Sequence, residues 1–254
     1  RENLAVLPAR VLSSNTSEAD CLRLAFFDNL AHRDFNPIEC AIVLSRLAPH
    51  VGRDALIRDY LLLLGRKPAA AVLDRTLCLI HLIDPLKRDV AGGRIEAKTA
   101  ADIAGWDEAD QRALADLIAR SRPSVSVVRE WADTLGDLAR REDCSVAEIL
   151  ADDAIRNASE SDDRSPGERT ARIRRILREK RFPNLTTTTD RFEAARSELC
   201  LPPSMRLEPS ANFESDEMHL EVRFRDAASL REAVDRMRGW FDEPDLIDRL
   251  WPWR

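Results

Sequence analysis

The sequence predicts a mainly helical fold: a multi-helical helix–turn–helix domain followed by a small α+β carboxy-terminal module. Three observations carry that prediction. Glycine supplies only 8 of 254 residues and aromatics 6%, too few for an all-β chain, while 44% hydrophobic and 33% charged residues match a folded helical protein. From about residue 18 to 157 the apolar side chains recur at helical spacing, with Pro at segment starts and Gly past segment ends. Only in the last fifty residues does the period drop to two, in the alternating stretch 219–224.

Taken in order, 11–14 reads as a short strand. Ser17 with Asp20 starts a helix whose apolar face holds Leu22, Leu24, Phe26, Phe27 and Leu30. Asn36 can cap and Pro37 fits a first turn, so a second helix opens there, runs through Ile38, Ala41, Ile42, Leu44 and Leu47, and stops before Pro49. Helices over 52–64, 68–82, 85–91, 96–104, 108–120 and 124–141 follow, joined by short connections that favour a compact helical domain. Ser145 and Glu148 form a capping-box signature for a helix over 145–157. The polar, acidic stretch 157–167 reads as a linker. From 164 to 181 eight basic residues stand against two acidic ones, with Ile173, Ile176 and Leu177 marking an apolar helical face. A helix over 188–199, strands at 205–207 and 219–224, and a helix over 227–241 complete the chain. The expected division is therefore 1–35, 36–157 and 158–254.

Composition narrows the function. With a net charge of −6 there is no whole-chain basic footprint, so any nucleic-acid surface is local. The longest uncharged stretches, around 61–65 and 76–83, are too short to cross a bilayer, and no secretory signal is evident. Five scattered Cys without a CxxC pair read as reduced thiols in a cytoplasm, and four His far apart in sequence give no expectation of a zinc site. Walker, HExxH, GxSxG and dinucleotide-turn motifs are missing, and the acid pairs Asp152-Asp153 and Asp162-Asp163 sit in linker-like sequence, so no catalytic residue is expected. The chain opens on Arg1 instead of Met, which leads us to expect further residues upstream.

A helix–turn–helix lays its second helix in the major groove while the first crosses the phosphates. Around the expected turn the sequence offers Arg53, Arg58, Arg66, Lys67, Arg75 and Thr76. Arg66 and Lys67 immediately precede the second helix, where main-chain N–H groups and the helix dipole already favour phosphate. Across 37–105 ten basic residues face eight acidic ones, an excess of two, which predicts modest and strongly salt-dependent affinity. Ala69, Ala70 and Ala71 supply methyl groups where a base reader would present Arg, Asn, Gln or Ser. Arg172, Arg175 and Arg178 on the later Arg-rich helix add less specific attraction. Trp106, Trp131, Trp240, Trp251 and Trp253 do not interleave with basic residues and read as core or dimer anchors.

The stretch 27–41, FDNLAHRDFNPIECA, carries a resemblance. Asp28, Asn29, Leu30, Asp34, Phe35, Asn36, Pro37, Ile38, Glu39 and Ala41 fall in the order of the ParB partition family's E-N-L-x-R and D-L-N-P-I-E-x-A segments. Downstream, Leu82, Asp84, Val90, Gly93, Arg94, Ile95, Ala97 and Ala100 follow the family's V-x-x-G-K-L spacing. The chain departs from the pattern where the family's Arg falls at His32, with Arg33 one place late. The resemblance implies a bacterial, cytoplasmic, nucleoid-associated DNA-binding protein acting in chromosome or plasmid partition or in transcriptional regulation. It implies a homodimer through a tail holding Val222, Phe224, Val234, Met237 and Trp240, and a partition ATPase as a further partner. It also assigns CTP and magnesium binding to Asp28, Asn29 and Arg33, together with residues upstream of Arg1. Two alternatives stay open: a protein-interaction scaffold with the same architecture, and a CTP-dependent switch in a longer parent chain.

Overall fold

The computed structural model describes residues 9, 11–161, 165–241 and 247–251, and several of its helices start on side-chain caps. Asp162 and Asp163 of the expected linker, Arg164 of the basic run and Trp253 lie outside the described residues. Ser17 accepts the Asp20 N–H at the start of α1 (Glu18–His32). Asn36 Oδ1 accepts the N–H groups of Ile38 and Glu39, both at 3.0 Å, and Glu39 Oε2 accepts the Asn36 N–H at 3.0 Å, a reciprocal box that opens α2 (Pro37–Leu47). The next helix is interrupted. Between α3 (Arg53–Ala55) and α4 (Leu61–Leu63) lies a π-helical turn, Leu56–Tyr60, closed by the Leu61 N–H on the Leu56 carbonyl.

After the turn 64–69 comes α5 (Ala70–Cys78), extended by a 3₁₀ turn, Leu79–His81. It is followed by α6 (Asp84–Ala91), α7 (Ala97–Ile103), α8 (Glu108–Ser121), α9 (Val125–Glu142), α10 (Val146–Leu150) and α11 (Asp153–Glu160). One core cluster joins Phe26 of α1, Leu44 and Leu47 of α2, Leu56, Tyr60 and Leu61 of the interrupted helix, and Leu73 of α5. Leu73 is the fully buried residue of α5, so one side chain, contributing about 1.5–3 kcal/mol, anchors that helix while its opposite face stays in water. Buried Gln111 of α8 ties the neighbouring loops: it accepts the Ile83 N–H at 2.9 Å and donates to the Trp106 carbonyl at 3.0 Å.

The chain divides into two compact units, Arg1–Ile176 and Leu177–Arg254. The division falls inside the Arg-rich helix α12 (Pro166–Arg181). In the second unit, α13 (Pro183–Glu198) precedes an antiparallel pair, β1 (Met205–Pro209) and β2 (Met218–Val222), in the register Leu207↔Leu220, and α14 (Ala227–Trp240) follows. Phe192, Ala195, Leu199, Leu207 and Leu250 form its core.

Several expected boundaries move. Residues 11–14 form no strand, and the expected 145–157 helix is two, because Asp152 caps a new start by accepting the Ala154 N–H. The helix expected from 188 begins at Pro183, a residue that fits a first turn, and Thr186, Thr187 and Thr189 lie inside it, donating their hydroxyls to carbonyls four residues back.

Candidate nucleic-acid interface

Gly65 shapes the approach to α5. It adopts φ +66°, its N–H reaches the Leu62 carbonyl at 2.9 Å, and the Arg66 N–H reaches the Leu61 carbonyl at 2.8 Å. That is a Schellman ending, in which a glycine avoids the steric cost of the left-handed residue. It delivers Arg66 and Lys67 just ahead of α5. Along α5 itself Leu73 points inward, while Ala70, Ala71, Asp74 and Arg75 are exposed.

Beside this edge lies a cleft of about 160 Å³ with Pro37, Val72 and Leu79 on its apolar side and Arg66, Arg75, Thr76 and Lys98 on its polar side. Arg66 is half-buried near the Cys40 thiol, whose Sγ donates to the Phe35 carbonyl at 3.7 Å. Burial pushes that thiol above its ordinary value, and the guanidinium pulls the other way. Arg75 donates through Nε to the Ala71 carbonyl at 3.1 Å, and Thr76 donates its hydroxyl to the Val72 carbonyl at 2.8 Å. Lys98, from the start of α7, was not visible as a site residue in the sequence. Nothing local marks it, since only the packing of α7 beside α5 brings it to Arg66 and Arg75. Among the described residues, Arg66, Lys67, Arg75 and Lys98 hold no ion pair, whereas most other Arg residues of this unit do.

The other expected residues behave differently. Arg53 reaches both oxygens of Asp74 at 2.7 and 2.8 Å, and Arg58 holds both oxygens of Asp59 at 2.8 Å. The Arg58 hydrogen bond keeps the Asp59 carboxyl below the usual range. Both cations are thus matched by carboxylates of the chain itself. On α12 the Arg174 guanidinium clasps Glu130 at 2.7 and 3.0 Å, and Thr170 donates to the Ser121 carbonyl at 3.0 Å, docking that helix against α8 and α9. Arg172 is half-buried with its Nε enclosed and without a hydrogen-bond partner, and Arg175 and Arg178 are exposed.

Asp28, Asn29 and Arg33 do not converge. Asp28 and Asn29 are exposed on α1, where Asn29 donates to the Ala25 carbonyl at 2.8 Å, and Arg33 is held by Glu39 at 2.7 Å and lies over the Phe35 ring at 5.1 Å. These three do not form a cradle for a nucleotide and its magnesium ion.

Comparison with protein-family models, with curated proteins and with solved structures gives no match.

Proposed function

We propose that this chain binds duplex DNA in the manner of a ParB-like protein, with α4, the turn 64–69 and α5 acting as a helix–turn–helix. One observation carries the reading. The exposed edge of α5 is flanked by four cations, Arg66, Lys67, Arg75 and Lys98, without ion-pair partners among the described residues, in a chain of net charge −6 where most other described arginines of this unit are paired. Arg66 and Lys67 anchor phosphates, while Arg75 and Lys98 flank the cleft beside the helix. The methyl-rich start of α5 offers little base-edge chemistry, so backbone contacts dominate and sequence discrimination is shallow. Chromosome or plasmid partition and transcriptional control both use such an element.

Four neutralised phosphates predict a slope of log affinity against log salt of about −3.6, a loss of roughly 150-fold between about 50 and 200 mM salt. A slope near zero refutes the reading and leaves a protein-interaction scaffold. Immunoprecipitation with genomic DNA then separates the outputs: one sharp peak supports partition, many promoter peaks support regulation, and a flat profile refutes both.

A second copy of the chain is the partner that β2 favours. Odd-numbered residues of β2 face β1: the Arg223 N–H donates to the Ser204 carbonyl and the Ser210 N–H to the Glu217 carbonyl. Met218, Leu220 and Val222 therefore turn their main-chain groups to the open edge. An antiparallel pairing centred on Leu220 sets Glu221 opposite His219 and Glu217 opposite Arg223 of the second copy, so the strand is charge-complementary to itself. Light scattering on the intact chain should give a dimer, and Leu220→Pro, which removes one edge donor, a folded monomer. A monomeric wild type refutes the pairing.

A further inference from the structure

We propose that a second cleft, between α6 and α8, is a docking site for an acidic peptide carrying an apolar side chain. The cleft encloses about 470 Å³ and shares no lining residue with the one beside α5. Its floor is apolar, with Ile118, Val128 and Pro123, and its rim carries Arg88, Arg94 and Arg122. Asp89 is the acid at this rim, with its side chain only 14% exposed, and its Oδ1 is occupied by the Nε and Nη2 of Arg94. Gly93, at φ +73°, makes that pairing by turning the chain so that the Arg94 N–H returns to the Asp89 carbonyl at 2.8 Å. Two guanidiniums, Arg88 and Arg122, are left without a carboxylate among the described residues. Arg122 stands at the left-handed end of α8, φ +46°, a conformation that glycine adopts more easily.

Guanidinium groups pair with planar carboxylates through parallel hydrogen bonds, and an apolar floor beneath them takes an aliphatic side chain. A nucleic acid fits this cleft less well. No aromatic ring lines it for base stacking, and an apolar floor offers nothing to a phosphate.

The probe is a fluorescein-labelled pentapeptide with two glutamates on each side of a leucine, titrated by anisotropy against the intact chain. Saturable binding is expected, weakened about tenfold or more by Arg88→Glu with Arg122→Glu and unaffected by Arg66→Ala with Lys67→Ala. Arg122→Gly should weaken the peptide several-fold while melting no lower than wild type, which separates loss of the site from loss of the fold. The proposal is overturned by lack of saturation up to about 1 mM peptide, by equal binding of a peptide with lysines in place of the glutamates or glycine in place of the leucine, by unchanged affinity in the charge-reversed variant, or by displacement with duplex DNA.

Discussion

Asp74→Asn probes the α5 edge from its acidic side. Asp74 is the carboxylate on the exposed face of α5, and Arg53 clamps it with side chains 52% and 56% exposed. A pair this exposed contributes roughly 0–1 kcal/mol, so the substitution should lower stability by no more than about 1 kcal/mol. Its effect on DNA is larger and of opposite sign. Removing the carboxylate takes one negative charge from beside the phosphates and releases Arg53 as a fifth cation. The slope of log affinity against log salt should steepen from about −3.6 to about −4.5, raising the loss between about 50 and 200 mM salt from roughly 150-fold to roughly 500-fold. At low salt the variant should bind about two- to fivefold more tightly, the equivalent of about 0.5–1 kcal/mol. The assay is fluorescence anisotropy of a labelled duplex of about two helical turns across a potassium chloride series. An unchanged slope, or weaker binding at every salt concentration, would show that α5 does not face the duplex.

Three further outcomes are expected. Gly65→Ala meets open space but forces a left-handed alanine, so chemical denaturation should show a loss of about 1–2 kcal/mol, with DNA affinity falling as Arg66 and Lys67 shift. Leu73→Ala empties the one fully buried anchor of α5 and should cost about 2–5 kcal/mol in the same experiment. The Arg33 hydrogen bond, aided by the Asn36 N–H and opposed by burial, holds the Glu39 carboxyl below its ordinary 4.5. Its stabilisation is therefore present above that value and lost as pH falls, so the melting temperature of Glu39→Gln should decline less than that of wild type on acidification, and parallel declines would refute the coupling.

Caps and turn residues made much of the fold legible. The Asn36-Pro37 start, the Ser145–Glu148 box and the glycines at 65 and 93 are local devices, and local chemistry is what a sequence displays. The expected strands and final helix near the carboxy-terminal end also appear, because alternation and helical stripes differ in period. What stayed hidden depends on competition or distance. A run of four threonines looks like a cap region until the hydroxyls of Thr186, Thr187 and Thr189 are seen to return to carbonyls four residues back. At the candidate interface, Arg66, Lys67 and Arg75 were visible as cations near a turn. The capture of Arg53 by Asp74, twenty-one residues on, and the arrival of Lys98 from α7 required the packed chain.

The π-helical turn between α3 and α4 gives the interrupted helix a length surplus of one residue. Each residue of an α-helix advances the chain by about 100°. Deleting a single position within Leu56–Tyr60 would remove that surplus, let α-helical hydrogen bonding run through and leave everything beyond in phase with the core. Winding the same residues as regular α-helix at full length would instead rotate Leu61 out of the interior and swing the Gly65 turn, with its two cations, toward a different side of the molecule. The orientation of the candidate interface thus hangs on the width of one turn five or more positions away.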